Sequence, residues 1–192
     1  STAKELSLFS DAPLSSLKNI TAEACIAHLF YDSEDYKTLG ARIKCNPAIK
    51  SESNRTALRA AVNSGLIDVI ATDHAPHLLN EKEGGALKAM SGMPMIQFSL
   101  VSMLELVNKG IFTLETIVEK MCHAPAQIYR INERGYIREG YRADLVLVRP
   151  NTPWEVTTDR ILSKCGWSPL EGHTFDWKVE KTFANGHLIY DD

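Results

Sequence analysis

Residues 67–77 decide the fold, and they read Ile67-Asp68-Val69-Ile70-Ala71-Thr72-Asp73-His74-Ala75-Pro76-His77. The first six are nearly all apolar and rich in β-branched side chains, which is typical of a strand covered on both faces in a parallel sheet. The run then ends abruptly in polar residues, so Asp73 lies just past the carboxyl end of a buried strand. Barrel enzymes keep their working groups at that end of their strands.

Helices are predicted on both sides of this strand. Apolar side chains recur at helical spacing between a possible N-cap at Ser51 or Ser53 and Gly65. Further helices are predicted at about residues 94–108 and at 114–122. Helix, buried strand, loop and helix in this order favour βα units of a parallel sheet or barrel.

The residues before residue 51 predict shorter elements. We expect a short helix over residues 2–9, a strand within residues 20–30 and another short strand over residues 42–46. Thr2 and Glu5 have the spacing of a helix capping box, as though the helix were entered from something upstream. Because the chain also begins without Met, we interpret it as a piece of a longer chain.

The pattern changes after about Ile131, where short β segments alternate with turn signals. Strands are predicted at residues 135–137, 143–148, 178–183 and 187–190, the last two separated by Asn185-Gly186. These segments predict a small antiparallel β element. We therefore divide the chain into a barrel part, residues 1–131, and a small β domain segment, residues 132–192.

Composition narrows the classes of function. The net charge is −3, and no Lys/Arg-rich run gives an electrostatic footprint for nucleic acid or for an anionic membrane. No apolar stretch approaches the roughly 18 residues needed to span a bilayer, and no signal peptide pattern opens the chain. The expected location is the cytoplasm. The four cysteines form no CxxC pair, so no zinc knuckle or redox motif is indicated.

The residues around Asp73 could carry chemistry. With His74 and His77 nearby, a divalent metal is plausible, since carboxylate oxygen and imidazole nitrogen both suit zinc. The alternative is that Asp73 caps the next turn and that the histidines are ordinary loop residues. Asn46 precedes a proline, which by itself indicates only a turn. His28, in an apolar setting, is interpreted as a core histidine rather than a metal ligand.

Several segments together resemble the type I dihydroorotases of the cyclic amidohydrolase superfamily. They occur in the family's order and span essentially the whole chain. The Asp-His-Ala-Pro-His run is fairly specific to dihydroorotases, whereas Ala143-Asp144-Leu145 is shared by many amidohydrolases. The segments are Ser1-Thr2-Ala3-Lys4-Glu5, Thr21-Ala22-Glu23-Ala24-Cys25, Asn46-Pro47-Ala48-Ile49-Lys50-Ser51, residues 67–77, Gly92-Met93-Pro94, Gly140-Tyr141-Arg142-Ala143-Asp144-Leu145, Lys164 and Ser168-Pro169-Leu170-Glu171-Gly172.

This resemblance implies an α/β fold: the C-terminal part of a (β/α)8 TIM-type metal-dependent hydrolase barrel, with a small β-sandwich element. It implies one or two zinc ions and the interconversion of dihydroorotate and N-carbamoyl-L-aspartate in pyrimidine synthesis. By position, Asp73 would bind metal and act as general acid and base. Asn46 and His77 would bind substrate, His77 chiefly through the substrate carboxylate, and Ser91 and Gly92 would add contacts.

The chain also departs from the family pattern. The paired histidines after the first barrel strand, the bridging lysine or aspartate and the histidine of a middle strand are all absent, so only Asp73 of the metal set remains. Most ligands therefore lie outside this chain. The partner that we expect is the missing N-terminal half of the barrel, without which the fragment would be inactive, and a homo-oligomer is also compatible with the resemblance.

Two other interpretations stay open. A hydantoinase, dihydropyrimidinase or allantoinase would share the barrel and the metal chemistry and would differ in substrate; Asn46 and the run from Asp73 to His77 favour dihydroorotase. A non-catalytic relative would use the same barrel as a scaffold. The upstream half would distinguish an enzyme from a scaffold. Intact metal histidines there favour an enzyme, and their replacement favours a scaffold.

Overall fold

The computed structural model describes residues 1–14 and 18–192, and it contains both helices and strands. The α-helices are α1 (Ile26–Phe30), α2 (Tyr36–Leu39), α3 (Glu52–Asn63), α4 (Gly85–Lys88), α5 (Ser99–Asn108), α6 (Leu114–Val118) and α7 (Ala124–Ile128). The strands are β1 (Glu23–Cys25), β2 (Val69–Ala71), β3 (Leu145–Arg149), β4 (Trp154–Glu155), β5 (Thr174–Phe175), β6 (Lys178–Ala184) and β7 (His187–Asp191). Short 3-10 helices cover Ala3–Leu8, Gly40–Ile43, Leu79–Lys82 and Thr158–Arg160, and a π-helix covers Glu119–His123.

The two strands β1 and β2 lie side by side in parallel, with Ala24 opposite Ile70. The β-branched run of residues 67–72 therefore forms the buried strand that its sequence predicts. Beyond the carboxyl end of β2, an isolated parallel bridge joins His74 to Met93. Three chain segments thus run in parallel and bring their carboxyl ends to one edge.

A buried ion pair fixes the other end of β2. The Lys18 ammonium lies 2.6 Å from one Asp68 carboxylate oxygen, and the two side chains are only 5% and 4% exposed. The second oxygen accepts the Ala22 backbone N–H at 2.8 Å. Asp68 therefore ties the segment that leads into β1 to the start of β2, which sets the register of the parallel pair.

The core lies between this pair and the helices α1, α3 and α5. Helix α3 follows the prediction closely, and it buries Leu58, Ala61 and Val62. The largest fully buried side chains come from all parts of the chain; they are Ile26, Leu29, Ile43, Val62, Ile67, Met93, Met95, Met103, Leu106, Val156, Trp167 and Phe175.

Strands β3, β6 and β7 form an antiparallel sheet in the order β3-β6-β7. The hairpin between β6 and β7 turns at Asn185 and Gly186, whose φ angles of 51° and 80° are the left-handed values that such a turn requires. The predictions for residues 143–148, 178–183 and 187–190 are confirmed within one or two residues. The division of the chain at residue 131 stays a prediction.

Of the two strands predicted near the N-terminus, one is shorter than predicted and the other is wrong. Of residues 20–30, only Glu23–Cys25 form a strand, and helix α1 follows at once. A short apolar run does not distinguish a buried strand from a buried helix by periodicity. Residues 42–46 form no strand, because the Lys44 carbonyl accepts hydrogen bonds from the Gly92 N–H and the Lys82 ammonium instead of a neighbouring strand.

Three later predictions need correction as well. Helix α5 begins at Ser99 rather than near 94, because the preceding backbone bonds to His74. The helix predicted over residues 114–122 is interrupted by a π-helical turn and continues as α7. Residues 135–137 form no strand; the Tyr136 ring stacks on His123 with centroids 4.1 Å apart.

A helix that crosses a bilayer must be long and apolar. None of the helices within residues 1–14 and 18–192 meets that requirement.

Candidate functional site

The Asp73 carboxylate stands at the edge where the parallel segments end. Asp73 follows β2 directly, is exposed, and adopts a left-handed φ of 46°, a conformation that aspartate tolerates better than most residues. The Thr72 hydroxyl accepts the His74 N–H at 3.2 Å, and this hydrogen bond holds the turn that contains Asp73. The buried strand therefore holds the backbone while the carboxylate stays open to solvent.

The pKa values of two neighbouring cysteine thiols respond to the negative charge of Asp73. Burial raises the pKa of Cys25, at the end of β1, to about 12, and the Asp73 carboxylate adds to the rise. The pKa of Cys45 rises to about 11 for the same two reasons, burial being the larger. Because Cys45 precedes Asn46, the segment that carries Asn46 lies within the electrostatic reach of Asp73.

Buried groups hold the Asn46-Pro47 segment in place. Its peptide bond is cis, and the Pro47 carbonyl accepts hydrogen bonds from the His28 Nε2–H at 2.8 Å and from the Cys45 thiol at 3.3 Å. Burial lowers the pKa of His28, which favours the neutral ring. His28 is therefore a buried histidine whose Nε2 supports this loop, while the Asn46 side chain is exposed.

His77 belongs to the loop that follows Asp73. Its Nε2–H donates to the Ser91 carbonyl at 3.1 Å, and its own carbonyl accepts the Trp167 indole N–H at 2.8 Å. Nδ1 faces Glu81 at 3.8 Å, and the side chain is 22% exposed. The ring is thus anchored at one nitrogen, and the other remains on the more open side.

Gly92 lies where the Ser91 segment meets both the Lys44 segment and the loop after Asp73. Its N–H donates to the Lys44 carbonyl at 2.8 Å. Its φ of +126° is unfavourable for any residue with a side chain, and an added Cβ would lie 2.6 Å from both Cβ and the carbonyl oxygen of Ala75. A glycine at this position lets the Ser91-Gly92 segment approach the loop after Asp73.

We expect the substitution Gly92→Ala to lower the free energy of unfolding by about 2 kcal/mol or more, because backbone strain adds to a steric clash that the Ala75 carbonyl cannot relieve by rotating. Urea unfolding of the intact protein measures the loss. Gly140→Ala is the matched control, since Gly140 also has a positive φ of +83° but has nothing within 4 Å of an added Cβ. Equal losses in the two variants would contradict the close approach at Gly92.

His74 has a different role from His77. Its Nδ1 accepts the backbone N–H groups of Met95 and Ile96, each at 3.2 Å. It therefore holds the segment before α5 against the end of β2. The interpretation of His74 as part of a local metal site gains no support, whereas a structural role is observed.

The His, Cys, Asp and Glu side chains of the described residues do not form a metal site by themselves. Within the two described ranges, no three His, Cys, Asp or Glu side chains come together in a group that could hold a metal ion. Catalytic zinc usually takes three protein ligands. The described residues therefore do not by themselves make a complete zinc site, although the Asp73 carboxylate is of the kind that zinc binds.

Lys82 is a residue that the sequence did not single out. It lies in the run Glu81-Lys82-Glu83, which reads as a solvated stretch of charge, yet it is only 4% exposed. Its ammonium donates to the carbonyls of Lys44, Met90 and Gly92. Nothing in the local sequence pattern indicates this burial.

Known proteins resemble this chain over most of its length. It is 37% identical over 175 residues to the dihydroorotase of Clostridium acetobutylicum, covering 91% of this chain and 41% of that protein. It is 32% identical over 175 residues to the allantoinase of Bacillus velezensis, covering 91% of this chain and 38% of that protein. Among solved structures, the L-hydantoinase (dihydropyrimidinase) of Arthrobacter aurescens superimposes with a TM-score of 0.89 at 27% identity, covering 100% of this chain and 43% of that one.

The chain thus spans about two fifths of the length of these relatives. The sequence pattern of the amidohydrolase family matches residues 8–189, which include every residue of the candidate site. The likeness to a hydantoinase structure agrees with the mixed α/β architecture. The chain belongs to the amidohydrolase family.

Proposed function

We propose that the protein containing this chain is a dihydroorotase, which reversibly hydrolyses the cyclic amide of (S)-dihydroorotate to N-carbamoyl-L-aspartate. The observation that carries this proposal is the exposed Asp73 carboxylate at the carboxyl end of a buried parallel strand, next to the segments of Asn46, His77 and Ser91. The higher identity to a dihydroorotase than to an allantoinase or a hydantoinase supports this choice of substrate.

The proposal includes the architecture of the whole enzyme. The strands β1 and β2 and the Met93 segment would belong to the wall of a (β/α)8 barrel. The carboxyl ends of the barrel strands would form the active site. The antiparallel sheet of β3, β6 and β7 would belong to a small β-sandwich. The remaining strands of the barrel would come from an N-terminal half that this chain does not contain.

Asp73 would move the proton in the reaction. The oxygen of a water molecule attacks the amide carbonyl carbon, and the Asp73 carboxylate accepts a proton from that water. When the bond between this carbon and the ring nitrogen breaks, Asp73 returns the proton to the nitrogen. One side chain therefore serves as base and then as acid, which suits its exposed position.

The family resemblance adds zinc to this proposal. Asp73 would contribute one ligand to one or two ions, and the other ligands would lie in the N-terminal half. Zinc at such a site lowers the pKa of bound water and polarises a carbonyl group.

The substrate carboxylate would lie between Asn46, His77 and Ser91. Both backbone groups of Gly92 are already used, its N–H by Lys44 and its carbonyl by Lys82. Gly92 would therefore contribute mainly by letting the Ser91 segment come close. His77 keeps its Nε2–H on the Ser91 carbonyl, so only a ring protonated at both nitrogens would donate to the carboxylate through Nδ1.

We expect His77→Ala to raise KM for dihydroorotate roughly tenfold or more, because a hydrogen bond to a charged group is worth about 1.5–3 kcal/mol. Zinc content should stay near that of the wild type. Steady-state kinetics with metal analysis of the same preparation measures both. His187→Ala, at an exposed position in β7, is the control. Loss of zinc with an unchanged KM would mean that His77 is a metal ligand instead.

A second cyclic amide remains a candidate substrate, because an allantoinase and a hydantoinase are among the similar proteins. The intact enzyme should therefore be assayed on dihydroorotate, allantoin, hydantoin and dihydrouracil. We expect the highest kcat/KM for dihydroorotate, because it is the only one of the four compounds with a carboxylate. A preference for any of the others would replace dihydroorotase by that activity, and no turnover on any would favour a scaffold.

A further inference from the structure

The Lys82 ammonium lies where two segments of the candidate site meet. Nζ is 3.0 Å from the Lys44 carbonyl, 2.8 Å from the Met90 carbonyl and 2.5 Å from the Gly92 carbonyl. An ammonium has three N–H donors, and these three carbonyls use all of them. The group is buried without a carboxylate partner among the residues described, so its bonds to the backbone hold it there.

These bonds connect the two segments that carry the proposed substrate-binding residues Asn46 and Ser91. Lys44 lies two residues before Asn46, and Met90 and Gly92 flank Ser91. The Gly92 N–H also bonds to the Lys44 carbonyl, and the Lys44 side chain bonds to the Ala89 carbonyl. The Asn46 segment and the Ser91 segment are therefore attached to each other by a small network centred on Lys82. Asp73 is held separately by β2.

We propose that Lys82 is a positioning residue, whose ammonium holds the Asn46 and Ser91 segments at the spacing that the carboxylate of the substrate needs. This inference rests on the proposed function for the identity of the substrate. It predicts a defect in substrate binding rather than in proton transfer, because the network does not include Asp73.

The charge of Lys82 responds to pH near neutrality. Burial lowers the pKa of Lys82 to about 8, and the Lys44 ammonium lowers it further; only the thiolate form of Cys45 would raise it. Above pH 8 the neutral amine has two N–H donors for three carbonyls, so the network loosens. Cys45, with a pKa near 11, stays a neutral thiol over this range.

The test compares Lys82→Met with Lys88→Met in the intact enzyme, since Lys88 is an exposed lysine in α4 of the same loop. The first measurement is hydrogen exchange of peptides covering residues 43–48 and 89–93. We expect faster exchange of both segments in Lys82→Met and no change in Lys88→Met. Unchanged exchange in Lys82→Met would overturn the proposal, whatever the substrate of the enzyme.

The second measurement is steady-state kinetics on dihydroorotate. KM should rise roughly tenfold in Lys82→Met while kcat changes much less, since displacement of the two segments weakens hydrogen bonds to the substrate carboxylate and leaves Asp73 in place. A fall in kcat with unchanged KM would overturn the positioning role. Wild-type enzyme that does not act on dihydroorotate would refute the proposed function, and the exchange data would still decide whether Lys82 holds the two segments.

The wild type provides a readout that does not depend on folding of a variant. Its KM should increase from pH 7 to pH 9 as Lys82 loses its proton, with kcat following a different profile. The Lys88→Met enzyme should show the same rise. A wild-type KM that is flat through pH 8 would contradict the role of the ammonium.

Discussion

Replacement of Asp73 by Asn in the intact enzyme is expected to lower kcat by about 10²- to 10⁴-fold, the range that a general acid-base group contributes. The amide does not accept the proton of the attacking water, and it binds metal more weakly than a carboxylate. The fold should survive, because the side chain of Asp73 is exposed at the end of β2 and the strand is held by other groups. Kinetics combined with a thermal unfolding curve measures both effects.

Asp176→Asn is a suitable control for this experiment, since Asp176 is an exposed aspartate between β5 and β6, outside the candidate site. It should retain wild-type turnover. If a folded, metal-loaded Asp73→Asn enzyme kept more than a small fraction of kcat, the catalytic role of Asp73 would be wrong.

Residues 1–192 alone are expected neither to hold zinc tightly nor to hydrolyse dihydroorotate. Three protein ligands are usual for catalytic zinc, and no such group occurs within the ranges that the structure describes. In the same ranges, β1 pairs only with β2, so its outer edge is open to another strand. Exposed apolar side chains such as Leu8 and Ile20 are expected to favour association.

Mixing this chain with a separately made N-terminal half should restore zinc binding and turnover together. Metal analysis and activity are measured on the reconstituted complex, after its isolation by size-exclusion chromatography. The chain carrying Asp73→Asn is the control, because it should assemble without restoring activity. A soluble, monomeric 192-residue chain with stoichiometric zinc and normal turnover would rule out the interpretation as a fragment.

Much of the fold follows from local patterns in the sequence. The β-branched run before Asp73 predicts a buried strand, and the Asn185-Gly186 pair predicts the turn of the hairpin that joins β6 and β7. Helix α3 follows from its apolar spacing. These elements are predictable because each depends on its own residues: the pattern that buries one face is complete within a single segment.

The supports of the site were not predictable in the same way. The alternating residues 42–46 resemble a strand, but the Lys44 carbonyl bonds to Lys82 and Gly92, which are distant in sequence. His74 resembles a ligand beside Asp73, although its Nδ1 accepts two amides from the segment before α5. Such roles depend on which segments meet in three dimensions, and no periodicity within one segment carries that information.

We expect the two aspartates at the ends of β2 to be under different evolutionary constraints. Asp68 is one half of a buried ion pair with Lys18, so a change at one position leaves the other charge buried and unpaired. Related sequences should therefore change these two positions together, for instance to a pair of apolar residues. Among the residues described, Asp73 forms no such pair, and in the proposed mechanism no second substitution would replace its carboxylate. At one end of β2, Asp68 can therefore change together with Lys18. At the other end, Asp73 must stay an aspartate for as long as the proposed reaction is kept.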